Sequence, residues 1–216
     1  MIDLGECRFG VDRKAWDLEF LAEAEELAGL RRVMRLHLEL WGLPEVVYAA
    51  QICVTELVAN VVRHVGPGTP TCLAVSMNGG RLRIEVSDPD LRALPTLVKA
   101  AGESEAGRGM ALVDGVADCW GVVLRGDSKV TWCELATGLR SPSDHVDGPQ
   151  VAKAEALLGL CGLASIPANS GQGRLSPAVG KGMAIGLIAD LLHWLRAHGY
   201  DPDDALEHAQ AHFDAS

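Results

Sequence analysis

The chain has no surplus of positive charge. Nineteen lysines and arginines stand against 29 aspartates and glutamates, a net charge of −10. A surface that binds nucleic acid through its phosphates is basic, so nucleic acid is not expected as a direct partner. A small anionic ligand is not excluded, because a few backbone amides and one cation suffice to hold it. No two of the six cysteines (Cys7, Cys53, Cys72, Cys119, Cys133, Cys161) stand at C-x-x-C spacing. Neither a zinc ribbon nor a dithiol redox motif is supported. Several lie among apolar residues, as in Gln51-Ile52-Cys53-Val54, and read as buried reduced thiols. No apolar run reaches the length of a bilayer span. The longest, such as Val46–Val54, is broken by Gln51. The first residues, Met1-Ile2-Asp3-Leu4-Gly5-Glu6, are acidic where a signal peptide is basic. There is no internal repeat. The expectation is a cytoplasmic protein without a membrane partner.

What is present is a chain of 216 residues, 48% apolar and 22% charged. Both fractions are near the globular average, so a sizeable core can form. The length suits one large domain, or an ordinary domain with an appendage. Texture divides the sequence better than charge does. Up to residue 140, turn signals alternate with periodic segments. From Ser141 to Gly182 the chain is rich in Ser, Pro, Gly and Asn and reads as a linker, with a short helix at Val151–Leu163. Residues 183–216 read as a helical hairpin. Ile185, Ile188, Leu191, Leu192 and Leu195 share one face, Gly199 provides the stop, and Asp201-Pro202-Asp203-Asp204 opens the second helix.

Within residues 1–140, Trp16–Phe20 alternates like a strand, and Glu23–Trp41 has apolar residues at helical spacing before Gly42. Pro44 begins a second helix, to about Val65. The segments Thr71–Met77 and Arg81–Ser87 flank Asn78-Gly79-Gly80, a hairpin signal. A looser helical segment at Leu91–Ala101 leads to Gly107-Arg108-Gly109 and a helix at Met110–Ala117. Strands at Trp120–Leu124 and Val130–Leu135 follow. Helices against an antiparallel-rich sheet make an α+β two-layer sandwich.

Three motifs interrupt this pattern. Glu56 and Asn60, four residues apart, share a face of the second helix that is otherwise apolar. Polar groups there are costly when buried without a partner; the bland alternative is a solvated stripe edge. Asp88 ends the second hairpin strand, where a carboxylate can accept a hydrogen bond from an exocyclic amine such as that of adenine, though turns favour Asp anyway. Gly107-Arg108-Gly109-Met110 opens a helix, where backbone N–H groups and the positive helix end can face a phosphate.

Taken together, E-x-x-x-N on a helix, V-S-D after a strand and G-R-G-M-A-L-V opening a helix resemble the nucleotide site of the GHKL ATPases, the group of gyrase and the histidine kinases. Within that group the sequence looks most like the anti-sigma-factor serine kinases of Gram-positive bacteria and the similar small ATP-binding regulators of actinobacteria. The resemblance covers roughly residues 10–137. It implies a two-layer α/β sandwich of the Bergerat type, with ATP and Mg²⁺ as ligands. Asn60 would ligate the Mg²⁺, and Glu56 would be the general base that takes the acceptor hydroxyl proton. Arg63 would reach a phosphate, and for His64 a packing role is an equal alternative. Asp88 would bind the adenine amino group, while Gly107, Arg108, Gly109 and Met110 would form the phosphate end of the lid. A sigma factor and a STAS-type anti-anti-sigma protein are the partners implied. A homodimer, as formed by such relatives, stands as an alternative to a monomer.

The pattern departs from the family after Asp88. Where the family has D-x-G, this chain has Asp88-Pro89-Asp90 without a glycine, and the lid from Leu91 to Ala106 is short. Weaker adenine binding, or a loop that runs differently, follows. A fold that kept partner binding and lost turnover is the competing reading. Two further patterns are weaker. His208 and His212 stand i,i+4 with His193 and His198 nearby, but no third ligand has a convincing spacing, and they read as structural or solvated. Gly173–Gly180-Lys181 lacks the spacing, the hydroxyl residue and the preceding strand of a P-loop.

Overall fold

The computed structural model describes residues 10–91, 108–146, 148–163 and 177–215. The chain divides into two compact units, residues 1–144 and 145–216.

In the first unit, period-two alternation builds five strands: β1 (Trp16–Ala22), β2 (Thr69–Asn78), β3 (Arg81–Asp88), β4 (Cys119–Arg125) and β5 (Ser128–Ala136). They form one antiparallel sheet in the order β1-β2-β3-β5-β4. Among the described residues three helices accompany it: α1 (Glu26–Leu40), α2 (Val47–His64, entered through a 3-10 turn at Pro44–Val46) and α3 (Arg108–Val116). Asn78-Gly79-Gly80 makes the β2–β3 turn, and Gly79 takes the positive φ, 58°, that this tight reversal needs.

Register decides which side chains meet. Leu73 pairs with Val86, Val75 with Ile84, Ile84 with Cys133 and Leu82 with Leu135, so these residues form one continuous apolar face. All are buried, as are Leu30, Met34 and Leu38 of α1, Cys53, Val54, Leu57, Val58 and Val61 of α2, and Met110 and Val113 of α3. Each such aliphatic side chain contributes about 1.5–3 kcal/mol on burial. The 3.6-residue spacing of the α2 set explains a further finding. Pro44–His64 is long and apolar enough, by length and composition, to cross a membrane, against the expectation that no such segment exists. Its apolar stripe packs in the core, Glu56 and Asn60 lie half-buried at the border of that stripe, and Arg63 is exposed. Cys53 and Cys133 are free, buried and in contact between α2 and β5. Cys53 and burial push the Cys133 thiol far above its ordinary pKa.

The opposite face of the sheet is polar. Arg83 lies 4.2 Å over the Trp132 ring and pairs with both Glu85 and Glu134, and Arg81 and Arg125 extend the network.

The first unit ends later than residue 140. Arg13, buried at 8% exposure, donates from Nε to Trp41 O (2.8 Å) and from Nη1 to Pro142 O (2.8 Å) and Asp144 O (2.6 Å). Val11 N donates to Ser143 O. Residues 141–144, expected as linker, are thus strapped to the first unit. Burial brings the Arg13 guanidinium down to about 10 from its ordinary 12.5, with Asp144 working against the shift.

The second unit holds α4 (Pro149–Leu163), α5 (Pro177–Ala197) and α6 (Pro202–Asp214), with α4 packed on α5. Residues 177–182, also expected as linker, form the start of α5, a turn and a half before the expected beginning at Met183. Gly199, at φ 78°, stops α5, and the Asp201 side chain caps α6 by accepting from Asp203 N. On α5, Ile185 and Ile188 are exposed while Leu191, Leu192 and Leu195 are half-buried, so the apolar face is divided along its length.

Candidate nucleotide site

Helix α2 presents Glu56, Asn60 and Arg63 on adjacent turns. Glu56 and Asn60 are half-buried, at the border between the apolar stripe and solvent; Arg63 and His64 are exposed. Arg63 Nη2 lies 3.3 Å from Glu56 Oε2. Arg63 is 40% exposed in its side chain and Glu56 18%. Such a pair orients the carboxylate but contributes little energy, so Arg63 can exchange it for another anion.

The start of α3 is brought against this polar face. Gly109 is buried, and a Cβ placed there would sit 2.5 Å from Glu56 Oε2 and 3.5 Å from Arg63 Nη2. A side chain at this position would have to push the Glu56 carboxylate aside. Met110 and Val113, one turn apart, anchor α3 to the core and hold its N-terminus in place. A carboxylate, a cation and the start of a helix therefore converge, with the Asn60 amide one helical turn along α2 from the carboxylate. This donor set fits an Mg²⁺-bound polyphosphate: hard oxygen ligands for the metal and N–H groups for the phosphate. Gly107 and the Arg108 side chain lie outside the described residues, as does the lid between residues 92 and 107.

Asp88 ends β3 on the helix-facing side and is buried to 2% exposure. Its Oδ1 accepts a hydrogen bond from Asp90 N at 2.9 Å, and its Oδ2 lies 3.2 Å from Lys129 Nζ. Asp90, in place of the usual glycine, thus closes a tight turn on the Asp88 carboxylate. Lys129 was not singled out from the sequence. The signal was there: alternation along Lys129, Thr131, Cys133 and Leu135 puts a lysine on the apolar side of β5, directly opposite Asp88. Thr71 and Thr131 are buried on the same face beside this pair. Around Asp88 a cleft of about 570 Å³ opens at the sheet end, lined among others by Phe20, Thr71, Ser87 and Pro89. Each carboxylate oxygen has two lone pairs, so Asp88 can still accept an exocyclic amine while holding Asp90 N and Lys129.

The sequence-predicted residues therefore fall into two groups. Glu56, Asn60, Arg63, Gly109 and Met110 gather where α2 meets α3, and His64 lies in solvent at the end of α2. Asp88 sits at the sheet end with a cation not foreseen.

The profile of the family described as "Histidine kinase-like ATPase domain" matches residues 20–132. This span runs from β1 into β5 and includes both groups of site residues. Over 97 residues the chain is 41% identical to an uncharacterised protein of Streptomyces coelicolor, covering 44% of this chain and 90% of the relative. The five-stranded antiparallel sheet with its helices agrees with the same assignment. Through residues 20–132 the chain belongs to the histidine kinase-like ATPase domain family, as a GHKL-type ATPase domain of the α/β-sandwich kind.

Proposed function

We propose that this protein is an Mg·ATP-dependent cytoplasmic regulator of the anti-sigma-factor kinase type, which binds a transcription-regulating partner and phosphorylates a serine or threonine on it. The observation that carries this reading is Glu56 one helical turn from Asn60, with the start of α3 against Glu56. When bound, ATP would supply the γ-phosphoryl group and depart as ADP, and Mg²⁺ would offset the phosphate charge. Asn60 offers its side-chain oxygen to the metal. Glu56 accepts the proton from the acceptor hydroxyl, which makes that oxygen nucleophilic. The α3 backbone N–H groups at Gly109 and Met110 face the phosphates. Asp88 accepts from the adenine amine at the other end. A sigma factor and a STAS-type protein carrying the acceptor serine are the proposed partners.

Calorimetry of Mg·ATP binding tests the site, with Asn60→Ala and Asp88→Asn beside the unmodified protein. Both variants should bind at least about tenfold more weakly. Glu56→Gln should still bind ATP but transfer no phosphate to a STAS-type acceptor. Absent binding at millimolar ATP would remove the reading.

A second reading has a specific observation behind it. Lys129 and Asp90 already hold the Asp88 carboxylate, which favours a catalytically silent module that sequesters its partner. That module would capture the partner equally well with and without ATP, and with Glu56→Gln.

A further inference from the structure

We propose that the second unit carries a zinc-type transition-metal site formed by His145, Glu155 and His198. All three belong to the second unit. His145 precedes α4, Glu155 lies on the second turn of α4, and His198 follows the last residue of α5. One ligand atom from each lies within 4.8 Å of the other two, with His145 Nε2 3.8 Å from Glu155 Oε1. Ligand atoms around a tetrahedral zinc stand about 3.3 Å apart, given bonds of about 2.0 Å. Binding an ion would draw the three ligand atoms together from their present separations.

Three features beyond proximity point to a metal. Both histidines are buried, His145 at 5% and His198 at 7% exposure, with ring centroids 4.7 Å apart. Two imidazolium ions so placed repel each other, and a metal is the cation that two neutral imidazoles accommodate. Second, His198 is pre-oriented. Its Nδ1 lies 2.8 Å from Trp194 O, a carbonyl that can only accept, so Nδ1 carries a proton and in the neutral ring Nε2 is left with the lone pair. The Trp194 ring stacks on it at 4.1 Å, which fixes the ring plane. This is how a second layer of contacts sets a ligating histidine. Third, His198 sits at the C-terminal end of α5, where the carbonyls favour positive charge.

Two imidazoles and one carboxylate suit zinc with one position left for water. The site would clip the chain before α4, α4 itself and the end of α5 to one another. A 72-residue helical unit is small enough to gain from such a staple. The pair at His208 and His212, which spacing alone singles out, is exposed on α6, and the site does not use it.

The test uses the full chain, stripped with a chelator and titrated with Zn²⁺ and with Co²⁺ alone. One equivalent should bind, Co²⁺ should give the visible absorption of a tetrahedral site, and Zn²⁺ should raise the thermal midpoint. His145→Ala, Glu155→Gln and His198→Ala should each weaken binding by at least about tenfold. His208→Ala and His212→Ala should leave it unchanged. Should a ligand variant fail to fold, zinc X-ray absorption on the unmodified protein decides, with two imidazoles expected. No stoichiometric binding, a count other than two imidazoles, or loss of binding in the α6 variants instead would overturn the site and leave an ion-free polar cluster.

Discussion

Lys129 on β5 faces Asp88 on β3 across a register pair, its Nζ 3.2 Å from Oδ2, with side chains only 4% and 1% exposed. Taking both charges out of water is costly, and their attraction returns that cost only while both are present. Lys129→Met, which leaves Asp88 charged and buried, should destabilise the first unit by about 3–5 kcal/mol. The double variant Asp88→Asn/Lys129→Met should lose much less than the sum of the single changes. Chemical denaturation of the four proteins measures this coupling. Additive losses would mean that the pair is not coupled.

Gly109 separates nucleotide chemistry from stability. Alanine is the better helix former by about 1 kcal/mol, but its Cβ would collide with Glu56 Oε2. Gly109→Ala should therefore leave the thermal midpoint within a few degrees of its starting value, by about the helix-propensity difference. The affinity for Mg·ATP and any phosphate transfer that depends on Glu56 should fall by about tenfold or more, the cost of about 1.4 kcal/mol misplaced. Full affinity in this variant would show that the α3 N-terminus does not face the ligand.

Glu134 should leave its mark on acid unfolding. Burial pushes its pKa up, but hydrogen bonds from Asn78, Arg83 and Cys119 and the Arg83 charge outweigh burial, so the net shift is downward from 4.5. The native state therefore holds the carboxylate more tightly than the unfolded chain does. This stability is fully present above pH 4.5 and is lost as the pH falls through the folded-state value. Glu134→Gln should be less stable at neutral pH and should show a shallower loss between pH 4.5 and lower values. Denaturation midpoints across that range check the slope; parallel curves for the two proteins would count against the network.

Arg13 should be needed to keep residues 141–144 on the first unit. Its guanidinium spans three carbonyls, which a lysine ammonium cannot reproduce. Both Arg13→Ala and Arg13→Lys should destabilise by about 2–4 kcal/mol, and both should speed proteolysis after Arg140. Full rescue by lysine would mean that charge alone acts here.

Local periodicity was enough to place the strands and helices of the first unit, because an amphipathic strand or helix writes its buried face into the spacing of its apolar residues. It placed β3 at Arg81–Ser87 and α3 at Met110–Ala117, each within two residues of the observed ends. Glu56 and Asn60 stand out in the sequence as two polar residues four apart beside an apolar stripe, and the structure puts both half-buried at that stripe's border. Tertiary structure decided what spacing cannot carry. Lys129 meets Asp88 only because β5 pairs beside β3, 41 residues away along the chain. Gly109 meets Glu56 only because α3 packs on α2. Arg13 finds Pro142 and Asp144 more than 120 residues on, and that contact moves the end of the first unit. His145, Glu155 and His198 share no periodicity at all. His198 stands near other histidines in the sequence, but only the packing of α4 on α5 brings it to His145 and Glu155. Contacts within an element are fixed by helix or strand geometry, whereas contacts between elements depend on how the whole core closes.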